Sequence, residues 1–151
     1  MKSVKLCLID ILLALFFTGA LFPQDIFVHY CIGKNRTAVE KNYGKPLHID
    51  TSNPKMICMF YQDKISRFIF VADEKGVYQA EVYKSYSSKK LADKDISKII
   101  SESSGKGFIS DTVSVNDYQL QKPGVRAEIQ ISENKITSKY DLKIKAFRTE
   151  N

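Results

Sequence analysis

The chain has 151 residues, with 23 Lys and Arg against 17 Asp and Glu, a formal net charge of +6, three Cys and no Trp. That length suits one domain with a real core. The basic residues are scattered, with only Lys89 and Lys90 adjacent, which excludes a dense nucleic-acid-binding patch and leaves a mild attraction to anionic membrane surfaces or acidic partners.

Lys2 and Lys5 open the chain, residues 6 to 17 are apolar apart from Asp10, and Thr18, Gly19 and Ala20 follow. This order reads as a secretory signal peptide over residues 1 to 20. The apolar run is shorter than the about 20 residues a membrane span needs. Cleavage would remove Lys2, Lys5 and Asp10 and leave residues 21 to 151 at a net charge of +5, without a transmembrane span, in the periplasm or the medium. No small residue precedes Cys7, so lipid attachment there is not expected. Cys31 and Cys58 remain, and in an oxidising compartment they are a candidate disulfide. Cys58 fits equally well as a small core hydrophobe.

Residues 26 to 32 are apolar and suit a strand or a short helix. The first predicted helix covers residues 35 to 43, with Thr37 as cap, Glu40 placed as in a capping box, and Gly44 and Pro46 as the stop. Strands are predicted at 56 to 61, 67 to 71 and 77 to 83. After a polar joint at 85 to 90 the order starts again. Asp93 caps a second helix whose Ile96, Ile99 and Ile100 share a face, and Gly105 ends it. Strands are then predicted at 107 to 115, 118 to 121, 125 to 132 and 140 to 147. In the last two, Val125, Ala127, Ile129, Leu142, Ile144 and Ala146 alternate with Arg126, Glu128, Gln130, Lys143 and Lys145, so each has a dry and a wet face. The expected fold class is α+β, an antiparallel sheet covered on one face by helices. Two helix-then-meander units, residues 21 to 88 and 89 to 151, would share one compact domain.

The segment Ile32, Gly33, Lys34, Asn35, Arg36, Thr37, Ala38, Val39, followed by Tyr43, Gly44, Lys45 and Pro46, resembles the opening of the SmpA/OmlA (BamE-like) type of small envelope protein. Tyr61, residues 68 to 71, Gly76 and Val77 extend the similarity. The resemblance implies a fold like that of β-lactamase inhibitor protein and a non-enzymatic, extracytoplasmic binding or scaffold role. The chain departs from that family in lacking a lipid-attachment cysteine and in carrying a second helix-sheet unit.

No catalytic motif is visible: there is no Gly-x-Ser-x-Gly elbow, and Gly105, Lys106 and Gly107 lack the rest of a phosphate loop. His29 and His48 have no Cys, Asp or Glu at ligand spacing, so no metal or other cofactor is expected. Asp93 and Asp95 are explained by a helix N-terminus, which favours negative charge. The leading expectation is a protein-binding module using the exposed side of the sheet, through Arg126, Glu128, Lys143 and Lys145. The alternatives are a small hydrolase or isomerase with a site between helices and sheet, and an inhibitor of an extracellular enzyme.

Overall fold

The computed structural model describes residues 25 to 150, so the expected leader and its cleavage point lie outside the described residues. Nearly half of the described residues lie in strands and fewer than a quarter in helices. The strands are β1 (His48–Asp50), β2 (Ile57–Gln62), β3 (Ser66–Asp73), β4 (Gly76–Tyr86), β5 (Ile109–Ser114), β6 (Asp117–Lys122), β7 (Val125–Asn134) and β8 (Lys139–Arg148). They form a single sheet in the order β1-β2-β3-β4-β8-β7-β6-β5, antiparallel throughout. Each run of four is a meander closed by hairpins, and the two meet where β4 pairs with β8.

This sheet-dominated architecture overturns the expectation of an α+β fold with helices covering the sheet. Helix α1 (Arg36–Tyr43) is eight residues long and buries only Val39 and Tyr43. Helix α2 (Lys89–Gly105) contributes Ala92, Ile96, Ile99 and Ser103 and packs near β4, β5 and β8. The middle strands β4, β8 and β7 are instead covered by a short 3-10 turn, Val28–Cys31. Ile26, Phe27, Val28, His29, Cys31 and Ile32 are all buried there. Residues 26 to 29 are all buried, so the segment has no wet face to give its sequence a period.

The inner face has the period of two that a half-buried sheet requires. Phe68 and Phe70 of β3, Ala80 and Val82 of β4, and Ile144 and Ala146 of β8 point to the core, all at zero exposure. Tyr43 of α1 sets its ring 5.4 Å from Phe68 and 4.8 Å from Phe70. Aromatic contacts of this tilted kind contribute about 1 kcal/mol beyond the area they bury. The covering segment is tied to the sheet by backbone bonds in both directions, Gly33 N–H to the Val77 carbonyl at 2.7 Å and Val77 N–H to the Lys34 carbonyl at 2.8 Å. That approach leaves no room for a side chain at Gly76. A Cβ there would lie 2.8 Å from the carbonyl oxygens of Gly33 and Lys34, and its φ of +101° is in any case a glycine conformation.

The helix starts differ from expectation. Asn35, not Thr37, caps α1, its Oδ1 accepting from Ala38 N–H at 2.9 Å, while Glu40 pairs with Arg36 at 2.7 Å. Helix α2 begins four residues before Asp93, which lies inside it and pairs with Lys89 at 2.8 Å. Asp95 is also inside the helix, accepting from Tyr86 Oη at 2.6 Å and Lys84 Nζ at 2.9 Å. Helix-capping therefore does not account for either carboxylate.

Candidate functional site

Residues facing away from the core line up in rows, because antiparallel register sets partners on adjacent strands to the same side. One row runs Glu81, Lys145, Glu128, Gln119 across β4, β8, β7 and β6. A second runs Arg67, Tyr83, Lys143, Gln130 across β3, β4, β8 and β7. A third runs Gln79, Phe147, Arg126 across β4, β8 and β7. Among the described residues no helix lies on this outer face.

The rows carry alternating charge with aromatic rings between them. Lys145 Nζ lies 3.8 Å from Glu81, and Arg126 Nη2 lies 3.2 Å from Glu128. The Tyr83 ring sits between two cations, Arg67 at 5.5 Å and Lys143 at 5.4 Å, and Arg126 lies 5.8 Å from the Phe147 ring. Each cation–π contact at a partly exposed site contributes about 0.5–1 kcal/mol. Glu81 is the fixed post of the arrangement. Its carboxylate is buried against the sheet and accepts from Tyr83 Oη at 2.7 Å and Gln79 Nε2 at 2.8 Å. The hydrogen bond to Glu81, with burial second, raises the Tyr83 phenol above its ordinary pKa and keeps it a neutral donor.

Arg126, Glu128, Lys143 and Lys145 thus stand together, lining with Gln119 and Val113 an open recess of about 240 Å³. Towards β1 the face turns apolar. Leu47, Phe60 and Ile69 line a neighbouring recess of about 510 Å³ that shares Arg67 and Tyr83 with the charged half. Sequence reading missed Glu81 and Phe147 as members of this face, which Tyr83 joins as one of the strand tyrosines suited to an interface. The alternation within β4 was visible, but the β4–β8 pairing that brings them beside Lys143 and Arg126 spans some sixty residues and leaves no local mark.

The remaining candidates lie elsewhere. His29 is 1% exposed, and its Nε2 is 2.8 Å from Ser103 Oγ, beneath Phe27, Tyr30 and Phe108. Burial first, and the nearby Lys106 second, lower its pKa to about 4, so the ring is neutral at physiological pH. It is a core residue beyond the reach of substrate. His48 is exposed on β1, opposite Phe60. Cys31 and Cys58 are separate thiols on opposite sides of the sheet. Cys31 is buried in the covering segment, and burial pushes its pKa up to about 11. Cys58 pairs in register with Asp50 and Val71 on the outer side, so the sheet itself stands between the two sulfurs. Among the described residues no group of three or more His, Cys, Asp or Glu is placed to hold a metal ion. The space between α2, the turn and the sheet is filled by side chains such as Ile99, Ile129 and Ile144, each at most 1% exposed.

The chain matches no protein-family model and no curated protein. Solved structures similar to the chain at low identity include the following two. One is an extracellular protein containing an SCP domain from Bacillus anthracis str. Ames, at 16% identity and a TM-score of 0.45, covering 83% of this chain and 46% of the other. The second is a cysteine-rich secretory protein from Staphylococcus aureus subsp. aureus Mu50, at 10% identity and a TM-score of 0.41, covering 76% of this chain and 44% of the other. The chain therefore spans less than half the length of either structure, and at these TM-scores neither likeness carries an argument about what this chain does.

Proposed function

We propose that this chain is an exported, non-catalytic binding module that engages a protein partner through the outer face of its sheet. The observation that carries the reading is the set of cross-strand rows, in which Arg126, Glu128, Lys143 and Lys145 surround a recess beside the cation-flanked Tyr83. Protein interfaces favour this mixture of Tyr and Arg anchors, with charged groups at the rim and an apolar flank. The leader-like residues 1 to 20 support export, and among the described residues no helix is long and apolar enough to cross a membrane. The enzymatic alternative needs a recess between helices and sheet holding a poised acid or base; the two recesses described above open on the outer face instead.

The test is affinity purification from the native envelope with wild type beside a variant carrying Arg126→Ala, Glu128→Ala, Lys143→Ala and Lys145→Ala. All four side chains stand clear of the core, so the variant should keep the wild-type melting temperature within a few degrees. Loss of a specific companion by the variant supports the reading. Identical companions for both proteins would refute it.

A further inference from the structure

The two edges of the sheet are not alike. Strand β1, at one edge, has three residues and closely follows Pro46, so it offers little backbone to a neighbour. Strand β5, at the other edge, has six residues, all exposed, and among the described residues its backbone bonds only towards β6. Lysines and prolines commonly protect such an edge. Here residues 107 to 121 contain no Pro, Lys or Arg, in a chain that has 23 Lys and Arg. The register fixes which side chains flank the edge. Ile109 lies opposite Gln121 and Asp111 opposite Gln119, in the rows of Arg126 and Glu128, so both point to the outer face. Val113, at the bulge between Thr112 and Ser114, joins them by lining the outer recess. Ile109 and Val113 are 76% and 66% exposed, and Asp111 has no cationic partner among the described residues. Ser110 and Thr112 point to the inner side, opposite Leu120 and Tyr118.

From this we propose that the β5 edge takes up an extended strand of a protein partner, one carrying a basic side chain between two apolar ones at alternate positions. A bare strand edge recruits a further strand through main-chain hydrogen bonds, and the alternate side chains set the choice of sequence. Side chains facing each other across a strand pair lie about 5 Å apart, so an added strand sets its outer side chains against Ile109, Asp111 and Val113. Apolar, cationic, apolar is the complement of that row, with small polar residues facing Ser110 and Thr112. A second copy of this chain is a poor occupant. Two β5 strands paired antiparallel about Asp111 set their carboxylates face to face, and registers shifted either way set Asp111 against Ile109 or Val113. The edge is built from backbone and from residues other than Arg126, Glu128, Lys143 and Lys145. This inference therefore goes beyond the outer-face reading and is tested separately from it.

The probe is a blocked heptapeptide, Thr-Val-Thr-Lys-Thr-Val-Thr, beside the same peptide with Glu in place of Lys. Each is titrated into the isotope-labelled protein at physiological salt and followed by amide NMR. The Lys peptide should shift the amide signals of residues 109 to 113 and slow their hydrogen exchange. It should bind about fivefold more tightly than the Glu peptide, the swing expected when a facing charge pair turns from opposite to like. Asp111→Lys should invert that preference. Asp111 is exposed, and an unchanged melting temperature shows that the variant is folded. No shift at residues 109 to 113, shifts without slowed exchange, equal affinity for the two peptides, or an unaltered preference in Asp111→Lys would each overturn the proposal. Dimerisation of the protein alone, with slowed exchange at the same residues, would also overturn it by making the occupant a second copy.

Discussion

Acidification should weaken this fold through one side chain, His29. In the folded protein its Nε2 meets Ser103 Oγ, while Nδ1 has no partner, so an imidazolium would hold a buried, unanswered N–H beside the positive Lys106. The folded pKa of about 4 lies below the ordinary 6.5. Between those values the unfolded chain binds a proton that the folded chain refuses. Stability is therefore full above about pH 6.5 and falls as the pH drops, by about 1.4 kcal/mol per unit, with roughly 3 kcal/mol gone near pH 4. Against a typical domain stability of about 5–15 kcal/mol that loss is readily measured. Burial raises the carboxyl of Asp25, which has the opposite sign and offsets part of the His29 loss as the pH falls. Asp73, held low by its hydrogen bond to Arg148, loses its contribution only below the ordinary carboxylate range. The difference between the wild type and a His29 variant over pH 6.5 to 4.5 therefore isolates His29. Urea unfolding followed by circular dichroism at pH 7.5, 6.5, 5.5 and 4.5 should show midpoints dropping over the last three points. In His29→Gln, which keeps a donor for Ser103, the midpoints should be nearly level. A flat wild-type profile, or the same slope in His29→Gln, would refute the reasoning.

Gly76→Ala should destabilise by about 2 kcal/mol or more, since the new Cβ meets two carbonyl oxygens at 2.8 Å in a left-handed backbone; denaturant midpoints measure it. Asn35→Ala should cost about 1 kcal/mol and Thr37→Ala much less, which separates the observed cap from the one predicted by sequence. In the native protein a maleimide should label Cys58 and spare Cys31 until denaturant is added, with or without reductant; recovery of a Cys31–Cys58 peptide by mass spectrometry would contradict the structure.

What the sequence disclosed follows from how local each signal is. Strands β7 and β8 were legible because seven or eight residues of alternation can face a core in only one register. The same alternation put Arg126, Glu128, Lys143 and Lys145 on the wet side, where the structure also has them. Strand β1 escaped notice, since three residues, His48–Asp50, are too few to display a period. The covering segment at residues 26 to 32 carried no periodicity because all its sides are enclosed. Reading helices as the cover therefore assigned to α1 and α2 the middle of the sheet, where the 3-10 turn lies with α2 beside it. Capping misled in the same local way: Thr37 and Asp93 are good caps by type, but Asn35 stands one position earlier than Arg36, and Ser88 precedes α2.

The strand order has a consequence for how the chain matures. Strand β8 comes last along the described residues yet lies near the middle of the sheet, hydrogen-bonded on both sides, and the early segment around Val28 rests on it. Neither meander can seal its inner surface until β8 arrives, because distant contacts of this kind form late. A polypeptide threading through an export channel from its amino end would thus stay pliable throughout passage, acquiring its final rigidity only when residues 139 to 148 slot between their neighbours on the far side.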